Sequence, residues 1–276
     1  MLDAWLAGHP YLQPLARFIA EVDTAAGGIE TPHAPIPAWE NYAEDFGQGL
    51  PLLRSASAGV DLEPAGAVAV ELAGRLASRS PAGSPIAGLE VLDADLRRRP
   101  DSARLVADWL LGDETFAPPS PGLLRYLGWR AAARYLAPVV AAFAIWRAER
   151  WARPYCPTCG SLPAMAQMLG AENVRLRFLS CGLCGTRWKY ARTACPFCGN
   201  DVQKLDSLAV EGEGGLRIDY CEKCRGYLKT YDGTGDEAVL LSDWTSLHLD
   251  FASRDRGLKR LAVSLYDLEP ALEQAG

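Results

Sequence analysis

Apolar residues recur every three to four positions through much of the first half of the chain, the spacing that places them on one face of an α-helix. "EPAGAVAVELAGRLASRS", residues 63–80, puts Val68, Leu72 and Leu76 in one row, with Pro64 suited to a first turn. "PDSARLVADWLLGD" offers Asp101 or Ser102 as an N-cap, Leu105, Val106, Trp109 and Leu110 as an apolar face, and Gly112 as a stop. After the loop "APPSPG", Ser120 and Pro121 open a longer helix toward Trp151. Its expected buried stripe is Leu124, Leu127, Ala131, Tyr135 and Val139, and Pro138 is expected to kink it. "ETPHAPIPAW", residues 30–39, reads as extended loop, because each proline also disfavours helix in the residue before it.

Near residue 155 the pattern changes to short runs rich in β-branched and aromatic residues, punctuated by glycine. "VRLRFLSC", "RWKY", "LRIDYC" and "YLKTY" read as strands. From Asp243 onward the pattern predicts a helix and then an irregular tail. The expected class is therefore α+β and multidomain. Residues 1–152 form a helical domain, 153–192 and 193–234 two tandem four-cysteine modules, and 235–276 a C-terminal helix and tail.

All 8 cysteines fall in the strand-rich segment as four Cys-x-x-Cys pairs: Cys156/Cys159, Cys181/Cys184, Cys195/Cys198 and Cys221/Cys224. Taken consecutively, they give two sets with 21 and 22 residues between their pairs, the spacing of four-thiolate metal ribbons. "YCPTCGS" to "RFLSCGLCGTRWKY" realigns on "ACPFCGN" to "RIDYCEKCRGYLKTY", so the set is an internal repeat. Two residues between thiols let one tight turn present both sulfurs to one ion. A glycine after the second thiol gives that turn its backbone freedom, at Gly160, Gly185 and Gly199; Arg225 intervenes in the fourth pair. The rival pairing joins 181/184 to 195/198 and nests the repeat inside 156/159 and 221/224. A dithiol redox reading would need a helix after each first pair. Tetrahedral thiolate cages take iron or zinc, and the sequence does not choose between them.

The 276 residues are 49% hydrophobic and 22% charged, the composition of a folded globular protein. "MLDAWLAGHPYLQPLARFIAEVD" lacks the features of a secretory signal, and the apolar run "YLAPVVAAFAIW" is too short to span a bilayer, so a cytoplasmic, reducing location is expected. Residues 151–230 carry 11 Lys and Arg against 7 Asp and Glu, a net of +4 within a chain of −6, so the remainder carries −10. Eight thiolates on two divalent ions would bring that segment to neutrality. His9, His33 and His248 stand apart from any nucleophile motif, and neither a phosphate loop nor a His-Glu-x-x-His appears, so no enzyme activity is expected. The alternative class is a nucleic-acid-binding tandem zinc ribbon presenting Arg175, Arg177, Phe178, Arg187, Trp188, Lys189 and Tyr190. The same aromatics would instead fill the small core beneath the cysteine turns if the segment only folds around its ions.

"CPTCGSLPAMAQM", "RFLSCGLCGTRWKYARTACPFCG" and "YCEKCRGYLKTYD", with the more diffuse "LAGHPYLQPLARFIAEV", resemble the formate dehydrogenase accessory proteins called FdhE. That resemblance implies a helical domain followed by two rubredoxin-like modules, and iron bound through the Cys-x-x-Cys pairs. The carried-over metal ligands are Cys156, Cys159, Cys181, Cys184, Cys195, Cys198, Cys221 and Cys224. It further implies a cytoplasmic, non-enzymatic maturation factor or chaperone whose partner is the catalytic subunit of a respiratory formate dehydrogenase, acting before export.

Overall fold

The computed structural model describes residues 1–79, 88–143, 150–171, 175–201, 205–210 and 212–268. Among them the helices are α1 (Leu2–Gly8), α2 (Gln13–Gly27), α3 (Trp39–Gln48), α4 (Glu63–Arg79), α5 (Leu89–Arg97), α6 (Ser102–Leu110), α7 (Pro121–Ala142), α8 (Glu237–Leu240) and α9 (Leu247–Arg254). The strands are β1 (Pro163–Leu169), β2 (Leu176–Cys181), β3 (Arg187–Tyr190), β4 (Asp206–Ala209), β5 (Leu216–Tyr220) and β6 (Tyr227–Asp232). The class is α+β.

Two compact units are interleaved along the chain. A helical unit takes the described residues of Gly8–Pro37, Gly59–Ala141 and Leu265 onward; a sheet unit takes those of Met1–Ala7, Ala38–Ala58 and Ala142–Ser264. The contacts thus divide residues 1–152 between both units, because helical periodicity reports that a segment is a helix and not what it packs against. In α3, Tyr42 and Phe46 are buried against Phe143 and Trp151, all within the sheet unit.

Within the helical unit the 63–80 reading holds to Arg79, with Val68, Leu72 and Leu76 buried; residue 80 lies outside the described residues. The α6 face is narrower than its periodicity suggested. Val106 and Ala107 are buried, whereas Leu105, Trp109 and Leu110 are half-buried, and Asp101 makes no side-chain cap. The full expected stripe of α7 is buried, and the helix runs through Pro138 to Ala142. The continuation toward Trp151 crosses residues 144–149, which lie outside the described residues. The Ser120 hydroxyl donates to the carbonyl of Gly88 rather than capping α7. Gly66 allows a close helix approach, since a Cβ there would overlap the backbone carbonyl of Ala103 at the start of α6.

The sheet unit contains one six-stranded mixed sheet in the order β3-β2-β1-β6-β5-β4. Each repeat contributes an antiparallel three-stranded half, and the halves join through β1 and β6 in parallel, Met165 opposite Lys229 and Ala166 opposite Thr230. The segments 153–192 and 193–234 therefore share a sheet. One face is covered by α8, α9 and the following chain, with Met165, Ile218, Tyr231, Leu240, Leu249 and Leu258 in a common core. The expected C-terminal helix is α9, preceded by a 3-10 turn at Asp243–Ser246; residues 269–276 lie outside the described residues.

Candidate metal centres

All four Cys-x-x-Cys turns are built alike. The first cysteine's N–H donates to the carbonyl five residues on: Cys156 to Ser161, Cys181 to Thr186, Cys195 to Asn200 and Cys221 to Gly226, each at 2.8–2.9 Å. The residue after the second cysteine then adopts a left-handed conformation, with φ of 82° at Gly160, 75° at Gly185 and 69° at Gly199. Arg225 takes the same role at φ 60°, and its guanidinium donates to the carbonyl of Arg256. The fourth pair, where the sequence has arginine in place of glycine, thus keeps the same turn conformation.

The sulfurs gather into two groups, Cys156, Cys159, Cys181 and Cys184 in one and Cys195, Cys198, Cys221 and Cys224 in the other, each within 4.8 Å. This is the consecutive arrangement and not the nested one. An ion bound at 2.3 Å to four thiolates needs sulfurs about 3.8 Å apart. Here Cys156–Cys184 and Cys159–Cys181 are 3.5 Å apart, Cys159–Cys184 3.7 Å, Cys195–Cys224 3.7 Å and Cys198–Cys221 3.8 Å. These separations fit a tetrahedral cage and lie far from the roughly 2.05 Å of a disulfide. Backbone N–H groups of Leu183 and Cys184 point at the Cys181 sulfur, that of Phe197 at Cys195 and that of Gly226 at Cys224.

Crowding polarises the thiols. Burial first, then the neighbouring thiols, pushes Cys156 well above the usual range. At Cys181 burial acts the same way, but bonds from Cys156, Cys159, Cys184 and Ser161 outweigh it and draw the group well below. In the second group burial pushes Cys195 up to about 12 against the pull of two backbone N–H groups. Burial and mutual crowding thus oppose four thiolates held unaided, and a divalent cation would supply the opposite charge that stabilises them.

Elements that the sequence did not single out complete the first group. The Thr158 and Thr186 hydroxyls are 2.8 Å apart and fully buried, Thr186 lies 3.2 Å from the Cys184 sulfur, and Ser161 reaches Cys159 and Cys181 at 3.2 and 3.0 Å. The chain after α3 covers this turn: Leu52 and Leu53 donate to the carbonyls of Pro157 and Thr158, and the Tyr42 hydroxyl faces Pro157. Hydroxyls two residues after a cysteine were the available signal.

Of the proposed basic and aromatic strand surface, Arg177 and Trp188 are buried, while Arg175, Phe178, Arg187 and Tyr190 are half-buried. Trp188 is fully buried and donates to Arg153, and Arg177 is buried, bonded to the carbonyls of Ala191 and Ala194 with its pKa lowered by burial. Arg175 pairs with Asp232 and Arg187 with Gln167, leaving Lys189 exposed. His33 is exposed in its loop, His9 stands at the end of α1, and His248 lies 2.9 Å from Glu213.

Residues 155–192, which hold the whole first group, match the family model of the FdhE central domain. The chain is 35% identical over 130 residues to the "Protein FdhE homolog" of Aquifex aeolicus, covering 45% of this chain and 46% of that protein. It is 36% identical over 127 residues to the homologue from Pseudomonas aeruginosa, covering 42% and 40%. The matches thus span less than half the length of these curated relatives. The crystal structure of the FdhE protein from Pseudomonas aeruginosa shares the fold, with a TM-score of 0.56 over 95% of this chain and 91% of that one at 22% identity. The resemblance read from the cysteine motifs is thus matched by the FdhE central-domain model over residues 155–192 and by curated FdhE homologues over the part of the chain that they cover.

Proposed function

We propose that this protein is a metal-binding accessory factor that binds the catalytic subunit of a respiratory formate dehydrogenase in the cytoplasm and supports its maturation before export. The observation that carries this is a coincidence of position: the FdhE central-domain match ends where the first four-sulfur group and its strands end. In this reading the segments 153–192 and 193–234 act as two rubredoxin-like modules beside a helical domain and a C-terminal helix and tail. Cys156, Cys159, Cys181 and Cys184 hold one ion, and Cys195, Cys198, Cys221 and Cys224 the other. Iron is favoured, by the family resemblance, with zinc the substitute after aerobic production. A filled four-thiolate cage has no open coordination position, so the role assigned is binding and support rather than turnover. Among the described residues no helix is long and apolar enough to cross a membrane, in keeping with a partner met in solution.

Nucleic-acid recognition is the weaker reading, because Trp188 and Arg177 are buried and Arg175 and Arg187 are engaged with Asp232 and Gln167. The test is an oxygen-free pull-down from cells making formate dehydrogenase, with metal analysis of bait and prey. The expected result is two ions per chain, a co-purifying catalytic subunit, and loss of one ion in Cys156→Ser. Recovery of salt-sensitive nucleic acid with no dehydrogenase subunit would overturn the assignment.

A further inference from the structure

The two sulfur groups come from one repeat, yet they are not equally enclosed. Cys156, Cys159, Cys181 and Cys184 are all buried, whereas Cys198 is exposed and Cys224 half-buried in the second group. The surroundings differ in the same sense. The repeat places Phe197 where the first group has Thr158, Asn200 where it has Ser161, and Gly226 where it has Thr186. Each hydroxyl that touches a first-group sulfur, or braces one that does, is therefore replaced. Among the described residues the second group receives backbone N–H groups and a small apolar patch of Leu205 and Phe197. Over the first group's opening turn lies the Leu52–Leu53 segment; a Cβ at the corresponding Gly199 of the second would meet nothing within 4 Å.

Resting on the reading of both groups as metal sites, we infer that the second group is the exchange site, through which a borderline-soft divalent ion enters and leaves, while the first retains its ion as part of the fold. The chemistry is substitution at the metal. A competing thiolate or chelator donor forms a bond to the ion as the bond to Cys198 breaks, and the released Cys198 thiolate, already at the surface, is solvated and takes a proton from water. The same attack on the first group must displace a sulfur that is buried, and most of whose neighbours are hydrogen-bonded in place. Outer-shell groups of this kind are worth about 10- to 100-fold in metal affinity.

Full-length protein loaded with zinc, mixed with an excess of a chromogenic chelator, tests this directly. The expected trace has two equal phases, one ion leaving about tenfold or more faster than the other. Cys198→Ser should leave only the slow phase, because the second site then fails to hold its ion through loading, and Ser161→Ala with Thr186→Val should speed the slow phase. Timed alkylation of the unmutated protein needs no variant to fold, and peptide mass mapping should find Cys198 modified first. Release of both ions in one phase, or first alkylation among Cys156–Cys184, overturns the exchange assignment while leaving the metal reading intact. Fewer than two zinc ions on the loaded protein overturns the metal reading itself and the exchange role with it.

Discussion

Lys229 is the most informative single residue to remove. Its ammonium on β6 lies 2.6 Å from Asp243 and 2.9 Å from Asp250, and Arg260 reaches the same two carboxylates at 2.7 and 2.9 Å. Side-chain exposures of 1% for Lys229 and 4% for Asp243 place the centre of this balanced cluster, two charges of each sign, away from water, with Asp250 at 13% and Arg260 at 21% on its rim. Lys229→Met fills the space but leaves one uncompensated negative charge. Breaking a buried pair costs about 3–5 kcal/mol, and the lower end applies here because Arg260 still serves both carboxylates. The pH dependence gives the sign. In the native protein Asp243 is penalised by burial, but Lys229 and Arg260 outweigh that and hold its pKa below the usual 3.8. Its contribution is therefore complete above that value and fades as pH falls through the lower folded value. In the variant the excess charge favours protonation of a carboxylate, so the deficit should shrink by about 1 kcal/mol or more between pH 7.5 and pH 5. Adding Asp243→Asn restores charge balance, and the double variant should lose less than the two single losses together. Urea unfolding of metal-loaded protein, followed by circular dichroism, reads these differences. A deficit below about 1 kcal/mol at pH 7.5, or one that does not change with pH, would refute the account of a buried, balanced cluster.

Gly66→Ala should destabilise the helical unit by about 2 kcal/mol, even though alanine gains up to about 1 kcal/mol in helix propensity, because the new methyl meets the Ala103 backbone rather than a side chain that can move; a raised thermal midpoint would contradict this. Arg225→Gly should stabilise the fourth turn by about 0.5 kcal/mol, left-handed relief slightly exceeding the lost bond to the Arg256 carbonyl, whereas Arg225→Val should destabilise it. Thermal unfolding of the two variants in parallel checks the order, and a more stable valine variant would show that φ at this position is not constraining.

The cysteine arrangement was legible because it is local: a repeat, a fixed two-residue spacing and four strands with clear alternation. What the sequence concealed was long-range. Nothing in "WENYAEDFGQ" says that Tyr42 and Phe46 pack on Phe143 and Trp151, since an amphipathic helix displays a face without naming its partner. Trp188 and Arg177 looked like surface readers by residue type alone. Pairing within β2 and β3 turned them inward, and there the arginine satisfies backbone carbonyls. Lys229 belonged to an aromatic strand with no hint of burial, because its partners lie 14 and 21 residues further on.

The way the repeat joins itself bears on why its two sulfur groups differ. Within each half the strands run third, second, first, and β1 of one half meets β6, the third strand of the other, in parallel. Halves related by a two-fold axis would pair like with like; these are related by a step along the sheet. Both cysteine groups consequently open on the same end of the sheet. A step, unlike a two-fold, gives each half a different neighbour. The first half has β6 against its β1, and its opening turn is covered by the chain after α3, while β4 of the second half is an edge strand of four residues with Asp206 and Ser207 exposed. Short, charged edges limit further strand addition. The turn that leads toward this edge carries the exposed Cys198. Stepwise pairing thus sets the two opening turns beside different strands, and with the Leu52–Leu53 cover over only the first, two near-identical cysteine patterns acquire different access to water without any change in their ligands.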